Sequence, residues 1–186
     1  MRMQLTLALL VLMLTAACQT ANPDRIEEDF HAVQDYSTRN ISEIVVLPVA
    51  IDSVDTTAHN SIRDLPRVEM RRLLRQYLIQ QKDYVAPQEQ WIDERIASAA
   101  NLETDAILHV TVNQWDTSNL VRRGVIYAGA DFQLKSPGGD TLLWTYNCRN
   151  LQLPIAGPHG GPKIADSNLT AIRLLTQTAL SRIPQK

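Results

Sequence analysis

Ala106-Ile107-Leu108-His109-Val110-Thr111-Val112-Asn113-Gln114-Trp115 is the stretch that decides the fold. Ala106, Leu108, Val110 and Val112 alternate with Ile107, His109, Thr111 and Asn113. A period of two makes a strand with one apolar face and one wetter face. The same pattern recurs in Val125–Leu134. There Ile126, Ala128, Ala130, Phe132 and Leu134 share one face, and Tyr127, Gly129, Asp131 and Gln133 the other. Ser136-Pro137-Gly138-Gly139-Asp140 is a turn signal. Leu142 to Tyr146 returns from it, which puts Leu142, Trp144, Tyr146 and Cys148 on one side. Three such strands in succession imply an antiparallel meander with one face packed.

Working outward, Ile44-Val45-Val46-Leu47-Pro48-Val49 is apolar on both faces. It reads as a buried central strand with Pro48 near its end. A helical pattern follows over Asn60–Lys82, with Ile62, Leu65, Met70, Leu73, Leu74, Tyr77 and Leu78 at three- and four-residue steps. Pro66 marks an early turn or a break, since an interior proline removes a helical hydrogen bond. Arg63, Arg67, Arg71, Arg72 and Arg75 are expected on the solvated side of this helix. Asp83 to Ala86 is a short strand ended by Pro87. Gln90–Asn101 is a second helix, with Trp91, Ile92, Ile96, Ala99 and Ala100 expected inward. Leu153–Ala165 is rich in proline and glycine and is a loop. Ser167–Ile183 is a final helix with Leu169, Ile172, Thr176, Ala179, Leu180 and Ile183 on its inner face. The order β-α-β-α-β-β-β-α predicts a two-layer α/β sandwich in one domain, 41–186. Its mixed sheet has about five strands, and three main helices lie largely on one side.

The amino terminus has a different character. Arg2 is followed by the apolar run Leu5–Leu14, too short for the roughly 20 residues that span a bilayer. A charged start, a short apolar run and then small residues make a secretory signal peptide. The small residues end in Thr15-Ala16-Ala17-Cys18, which resembles the bacterial lipobox. That resemblance implies cleavage after Ala17, lipid on Cys18, and 1–17 as a signal peptide. Gln19 in place of Asp implies the outer membrane, with the domain facing the periplasm. Residues 18–40 are polar, with Pro23 and an acidic cluster from Asp24 to Asp29. They are expected to be a periplasmic tether that packs loosely through Phe30, Val33 and Tyr36.

Composition narrows function. The 186 residues carry 18 Lys+Arg and 20 Asp+Glu, a net charge of −2. Loss of Met1–Ala17 leaves 169 residues at about −3, enough for one domain with a core. No basic patch points to nucleic acid. With Cys18 taken by lipid, Cys148 is either buried or paired between chains, and burial is the simpler expectation. His31, His59, His109 and His159 lie in no metal-ligand spacing. His159-Gly160-Gly161 is not accompanied by any G-x-S-x-G motif. No catalytic, cofactor or metal site is therefore expected, and the expectation is a protein that is not an enzyme.

Ile44-Val45-Val46-Leu47-Pro48, Asp105-Ala106-Ile107-Leu108 leading to Val112-Asn113-Gln114-Trp115, and Gly139-Asp140-Thr141-Leu142-Leu143-Trp144 resemble a family of bacterial lipoproteins of unassigned function. Asp35-Tyr36-Ser37 and the closing Leu175–Leu180 helix also fit, so the resemblance covers most of the mature chain. Val49 stands where that family commonly has a second proline, and the Pro/Gly loop is shorter. The family is similar in fold to the amino-terminal domain of TolB, to the penicillin-binding-protein activator LpoB and to the secretion lipoprotein CsgG. The resemblance implies an accessory component of an envelope secretion or transport assembly, working beside a CsgG-like lipoprotein. An LpoB-like activator of a peptidoglycan synthase and a small-ligand binder are the alternatives. Contact surfaces are expected on the wetter face of the meander, at His109, Thr111, Tyr127 and Asp131, and on the Pro/Gly loop. A homodimer is also compatible with the sequence.

Overall fold

The computed structural model describes residues 26–52, 62–97, 101–155 and 164–185. Cys18 and the signal segment, His59, His159 and most of the Pro/Gly loop lie outside the described residues. The strands are β1 (Glu27–Ala32), β2 (Ile44–Val46), β3 (Ala50–Ile51), β4 (Ala106–Asp116), β5 (Val125–Lys135) and β6 (Leu142–Pro154). The helices are α1 (Arg67–Lys82), α2 (Glu89–Ala97), the short α3 (Leu120–Arg123) and α4 (Ile164–Ser181).

One six-stranded sheet runs in the order β1-β6-β5-β4-β2, with β3 also on β4. The meander is antiparallel as the alternation predicts, and β2 and β3 pair parallel to β4. Val46 faces Leu108 and Ala50 faces Thr111, so three residues on one side span two on the other. The extra residue falls at Leu47-Pro48-Val49, where Pro48 has no N–H to give the ladder. β2 and β3 are thus one strand interrupted by a proline bulge.

α1 and α4 pack side by side on one face of the sheet, which gives the two-layer α/β sandwich. Trp115, Phe132, Trp144, Tyr146, Met70, Leu74, Leu78, Ile172, Leu175 and Leu180 fill the space between. The rings of Phe132 and Tyr146 meet edge to face at 5.8 Å. Several polar core groups are aimed at partners that offset their desolvation. Trp115 Nε1 donates to Asn168 Oδ1 at 3.2 Å, and Trp144 Nε1 to the Arg182 carbonyl at 3.2 Å. Lys82 Nζ donates to the Ile183 and Ser181 carbonyls at 2.8 and 3.3 Å, tying down the end of α4. The Tyr84 hydroxyl donates to the Pro184 carbonyl at 3.0 Å, leaving Tyr36 to donate to Tyr84 at 3.1 Å.

Several expectations are corrected. The polar stretch 18–40 contains an ordered strand at its end: β1 pairs with β6 from Glu27↔Arg149 to Ala32↔Trp144. Its polar composition disguised it, because an edge strand keeps much of its surface in water. β2 lies at the end of the sheet and not in its centre. Its Ile44, Val45 and Val46 are nonetheless buried. The segment expected as a strand at Asp83–Ala86 makes a single parallel bridge, Glu43↔Val85, with hydrogen bonds of 2.9 Å from Ile44 N to Val85 O and from Val85 N to Ser42 O. It shields the free edge of β2 while leaving the sheet. α1 begins after Pro66 and not at Asn60, and Ile62–Asp64 is a separate 3-10 turn. In α2 only Ile92 of the described expected-inward residues is buried; Trp91 and Ile96 face out, and Arg95 stacks over the Trp91 ring at 5.6 Å. Leu142 is exposed, unlike Trp144, Tyr146 and Cys148.

Arg71 departs furthest from its expected solvated face. It is 5% exposed, donates Nε to the Val46 carbonyl at 3.0 Å and pairs NH1 with Asp93 Oδ1 at 2.8 Å. One side chain thereby joins β2, α1 and α2.

Candidate functional site

The sheet face away from α1 and α4 is where the chain keeps its polar groups. Strand register arranges them in rows. His31, Thr145, Gln133 and His109 form one row, and Asp29, Asn147, Asp131 and Thr111 the next. His109, Thr111, Tyr127 and Asp131, the four residues expected on this face from alternation alone, are all half-buried. The core-facing Leu108, Val110, Val112, Ala130 and Phe132 are at most 2% exposed, so the two faces differ sharply. Burial and the nearby Lys135 both depress the His109 pKa, so the imidazole resists protonation.

The rows end in a built feature that alternation did not reveal. β4 carries a bulge between Val112 and Gln114, and β6 one opposite the step from Ala128 to Ala130. Both bulges fall beside Gly129 on the strand between them. On β6 the irregularity is taken up by Asn150, in the left-handed region at φ 52°. An asparagine tolerates that conformation better than most side chains. Each bulge turns an extra polar residue toward the same face. Gln114 then reaches over Gly129 to Asn150: its Nε2 donates to Asn150 Oδ1 at 2.9 Å, and its Oε1 accepts from Asn150 N at 3.1 Å.

Asp131 sits next to this clasp and gathers the remaining donors. Arg149 donates NH1 to Asp131 Oδ1 at 3.0 Å and NH2 to Oδ2 at 3.1 Å. Asn113 Nδ2 donates to the same Oδ2 at 3.0 Å. A forked guanidinium–carboxylate pair is directional as well as strong. Five side chains from three strands are thus held in one arrangement. Beyond them, Asp131, Asn147 and Arg149 line an open groove of about 730 Å³ with Ile26, Glu27, Glu28 and Asp29 of the β1 edge.

Gly129 makes the clasp possible. A Cβ there would fall 2.4 Å from Asn113 Oδ1, 3.1 Å from Gln114 Cβ and 3.3 Å from Gln114 Oε1. Glycine inside a strand is the one signal in the sequence that marks a bulge or a close approach. Asn113, Gln114, Arg149 and Asn150 were otherwise missed, because a bulge reverses which face the next residue occupies.

What this arrangement can do chemically is recognise hydrogen-bonding or charged groups. Among the described residues no group of three His, Cys, Asp or Glu side chains could hold a metal ion. Cys148 is fully buried with its thiol free, and burial pushes its pKa up to about 11. That removes it from both disulfide pairing between chains and nucleophilic use. Among the described residues no helix is long and apolar enough to cross a membrane.

Comparison with protein-family models and with curated proteins finds no match. Solved structures do match. A PelC dodecamer from Paraburkholderia phytofirmans superposes with a TM-score of 0.51 at 12% identity, covering 87% of this chain and 99% of that one. Lipoprotein GNA1162 from Neisseria meningitidis gives 0.42 at 15% identity, covering 74% and 97%. A DUF4136 family protein from Bacteroides thetaiotaomicron gives 0.44 at 8% identity, covering 83% and 95%. At such identities the likeness is one of fold: this chain has the same α/β architecture as PelC over nearly the whole of that chain.

Proposed function

We propose that the chain is an outer-membrane lipoprotein, anchored through Cys18 and facing the periplasm, that works by binding other envelope proteins. The observation that carries this reading is the Asp131 cluster on the polar sheet face. Its groups are fixed in place by two bulges and yet remain half-exposed. Preorganised polar groups lower the ordering cost of association. Anchoring confines the search for partners to two dimensions and raises their effective concentration. The partner is a CsgG-like lipoprotein of a secretion or transport assembly. Self-association is part of the proposal, since a protein of the same fold is a dodecamer.

Photo-cross-linking from membranes tests this. A cross-linking residue at Thr111 or Tyr127 is expected to capture a secretion or transport lipoprotein, or a second copy of the chain. The same probe at Val68, exposed on α1, is the control. Capture of a penicillin-binding protein alone would support the LpoB-like alternative. Capture from Val68 with none from Thr111 or Tyr127 would refute the sheet-face surface.

A further inference from the structure

We infer that α3 is a membrane-contacting tip, which lies against anionic phospholipid headgroups when the chain is held by lipid at Cys18. The inference rests on the anchoring proposed above and adds an orientation to it. Leu120 is 5% exposed and roots the turn in the core, while Val121 is 93% exposed. Arg122 and Arg123 beside it are exposed. A lone exposed valine is ordinary, so position decides the matter.

Strand directions give that position. β1 runs antiparallel to β6 from Glu27↔Arg149. The chain preceding Glu27 therefore leaves the sheet toward the far end of β6, where Pro154 pairs with Val125 just after α3. Ile155 N donates to the Gly124 carbonyl at 2.7 Å, which fastens this end of β6 to the end of α3. From Glu27 back to Cys18 the chain can reach at most about 31 Å. From the level of Glu27 to Pro154 is five residues of β6, about 17 Å. Fully extended, that length exceeds the distance to the level of α3 by about 14 Å. The opposite end, beyond Leu142, lies about 24 Å the other way and requires a full reversal.

Charge enters on both sides. Arg122 and Arg123 suit anionic headgroups. The opposing charges at this end are Glu27, Glu28 and Asp29 on the β1 edge, Asp116 at the end of β4, Asp52 just past β3 and Asp166 in the first turn of α4, close to Asn168 on Trp115. Asp116 is engaged locally, its Oδ1 accepting from Ser118 N at 2.8 Å. β1 is two strand spacings from β5, roughly 10 Å, comparable with the screening length at physiological salt.

The test uses the lipidated full chain in vesicles of equimolar phosphatidylcholine and phosphatidylglycerol that contain a headgroup nitroxide quencher. A fluorophore is placed on Val121→Cys or, at the opposite end of the sheet, on Gly138→Cys; buried Cys148 stays unlabelled. Quenching at 121 is expected to exceed that at 138 several-fold. Arg122→Glu with Arg123→Glu is expected to lower it about twofold or more, and added salt to act in the same direction. Equal quenching at both positions, or stronger quenching at 138, in protein that incorporates palmitate would overturn the inference and leave the anchor intact. Absence of palmitate would remove the anchor and the inference together, so the two failures are distinct.

Discussion

Gly129→Ala is the perturbation whose sign tests the clasp on the polar face. Gly129 is not among the described residues with positive φ, so its backbone accepts alanine without strain. On backbone grounds alone the substitution should stabilise by about 0.4–1 kcal/mol, because alanine restricts the unfolded chain. The surroundings predict the opposite. The new Cβ would sit 2.4 Å from Asn113 Oδ1, so the Asn113 amide must rotate and release Asp131. It would also press on Gln114 at 3.1 and 3.3 Å and loosen both of its bonds to Asn150. Overpacking costs about 1–3 kcal/mol, and each net hydrogen bond about 0.5–1.5 kcal/mol. The cluster is half-exposed, so water replaces part of what is lost. A net destabilisation of about 2 kcal/mol follows, equivalent to a fall in Tm of about 4–8 °C at this size. Urea unfolding followed by tryptophan fluorescence reads it, since Trp115 lies next to the bulge and Trp144 in the core. Asn113→Ala in the Gly129→Ala background removes the closest clash and should recover about half the loss, a coupling visible in a double-mutant cycle. A Gly129→Ala protein as stable as wild type or more so would refute the clasp.

Other outcomes follow from the same structure. Arg71→Met leaves the Val46 carbonyl without its donor and releases Asp93, so it should cost about 2–3 kcal/mol in urea unfolding; Arg71→Lys should recover little, since an ammonium cannot fork to both acceptors. The Cys148 pKa is raised in the folded state, so its contribution to stability is fully present below about 9 and lost as pH rises toward about 11. Cys148→Ala should flatten that part of the stability curve, and native protein should resist thiol reagents until it unfolds. His109 has a lowered pKa, so its contribution is present above its ordinary value near 6.5 and lost as pH falls below it. His109→Gln should remove that acid-side loss, measured as unfolding midpoint against pH. Cys18→Ser should abolish palmitate incorporation and move the protein from membrane to soluble fractions; continued labelling would contradict the lipobox reading.

Much of the domain was legible because periodicity is a local property. Alternation in 106–113 and 125–134 is set by residues two apart, and it assigned the core and polar faces of those stretches correctly. Pro66 was legible as an early turn or a break for a similar reason, since the missing N–H acts within one turn. Elements at the sheet's margins were not. β1 reads as polar tether because its pairing energy comes from β6, more than a hundred residues away. Arg71 was assigned to water because its partners, Val46 and Asp93, lie on other elements.

By itself the sequence determined the two-layer α/β class, the antiparallel meander and the polarity of its faces. Each of these is written in neighbouring residues. Tertiary structure alone decided the strand order, the place of β2 at the margin and the end of the sheet from which the amino-terminal chain departs. It also decided that Asn113, Gln114, Asp131, Arg149 and Asn150 meet around Gly129. The physical reason is the bulge: one extra residue in each flanking strand reverses the face of everything after it. Only the pairing of three strands shows where that extra residue falls.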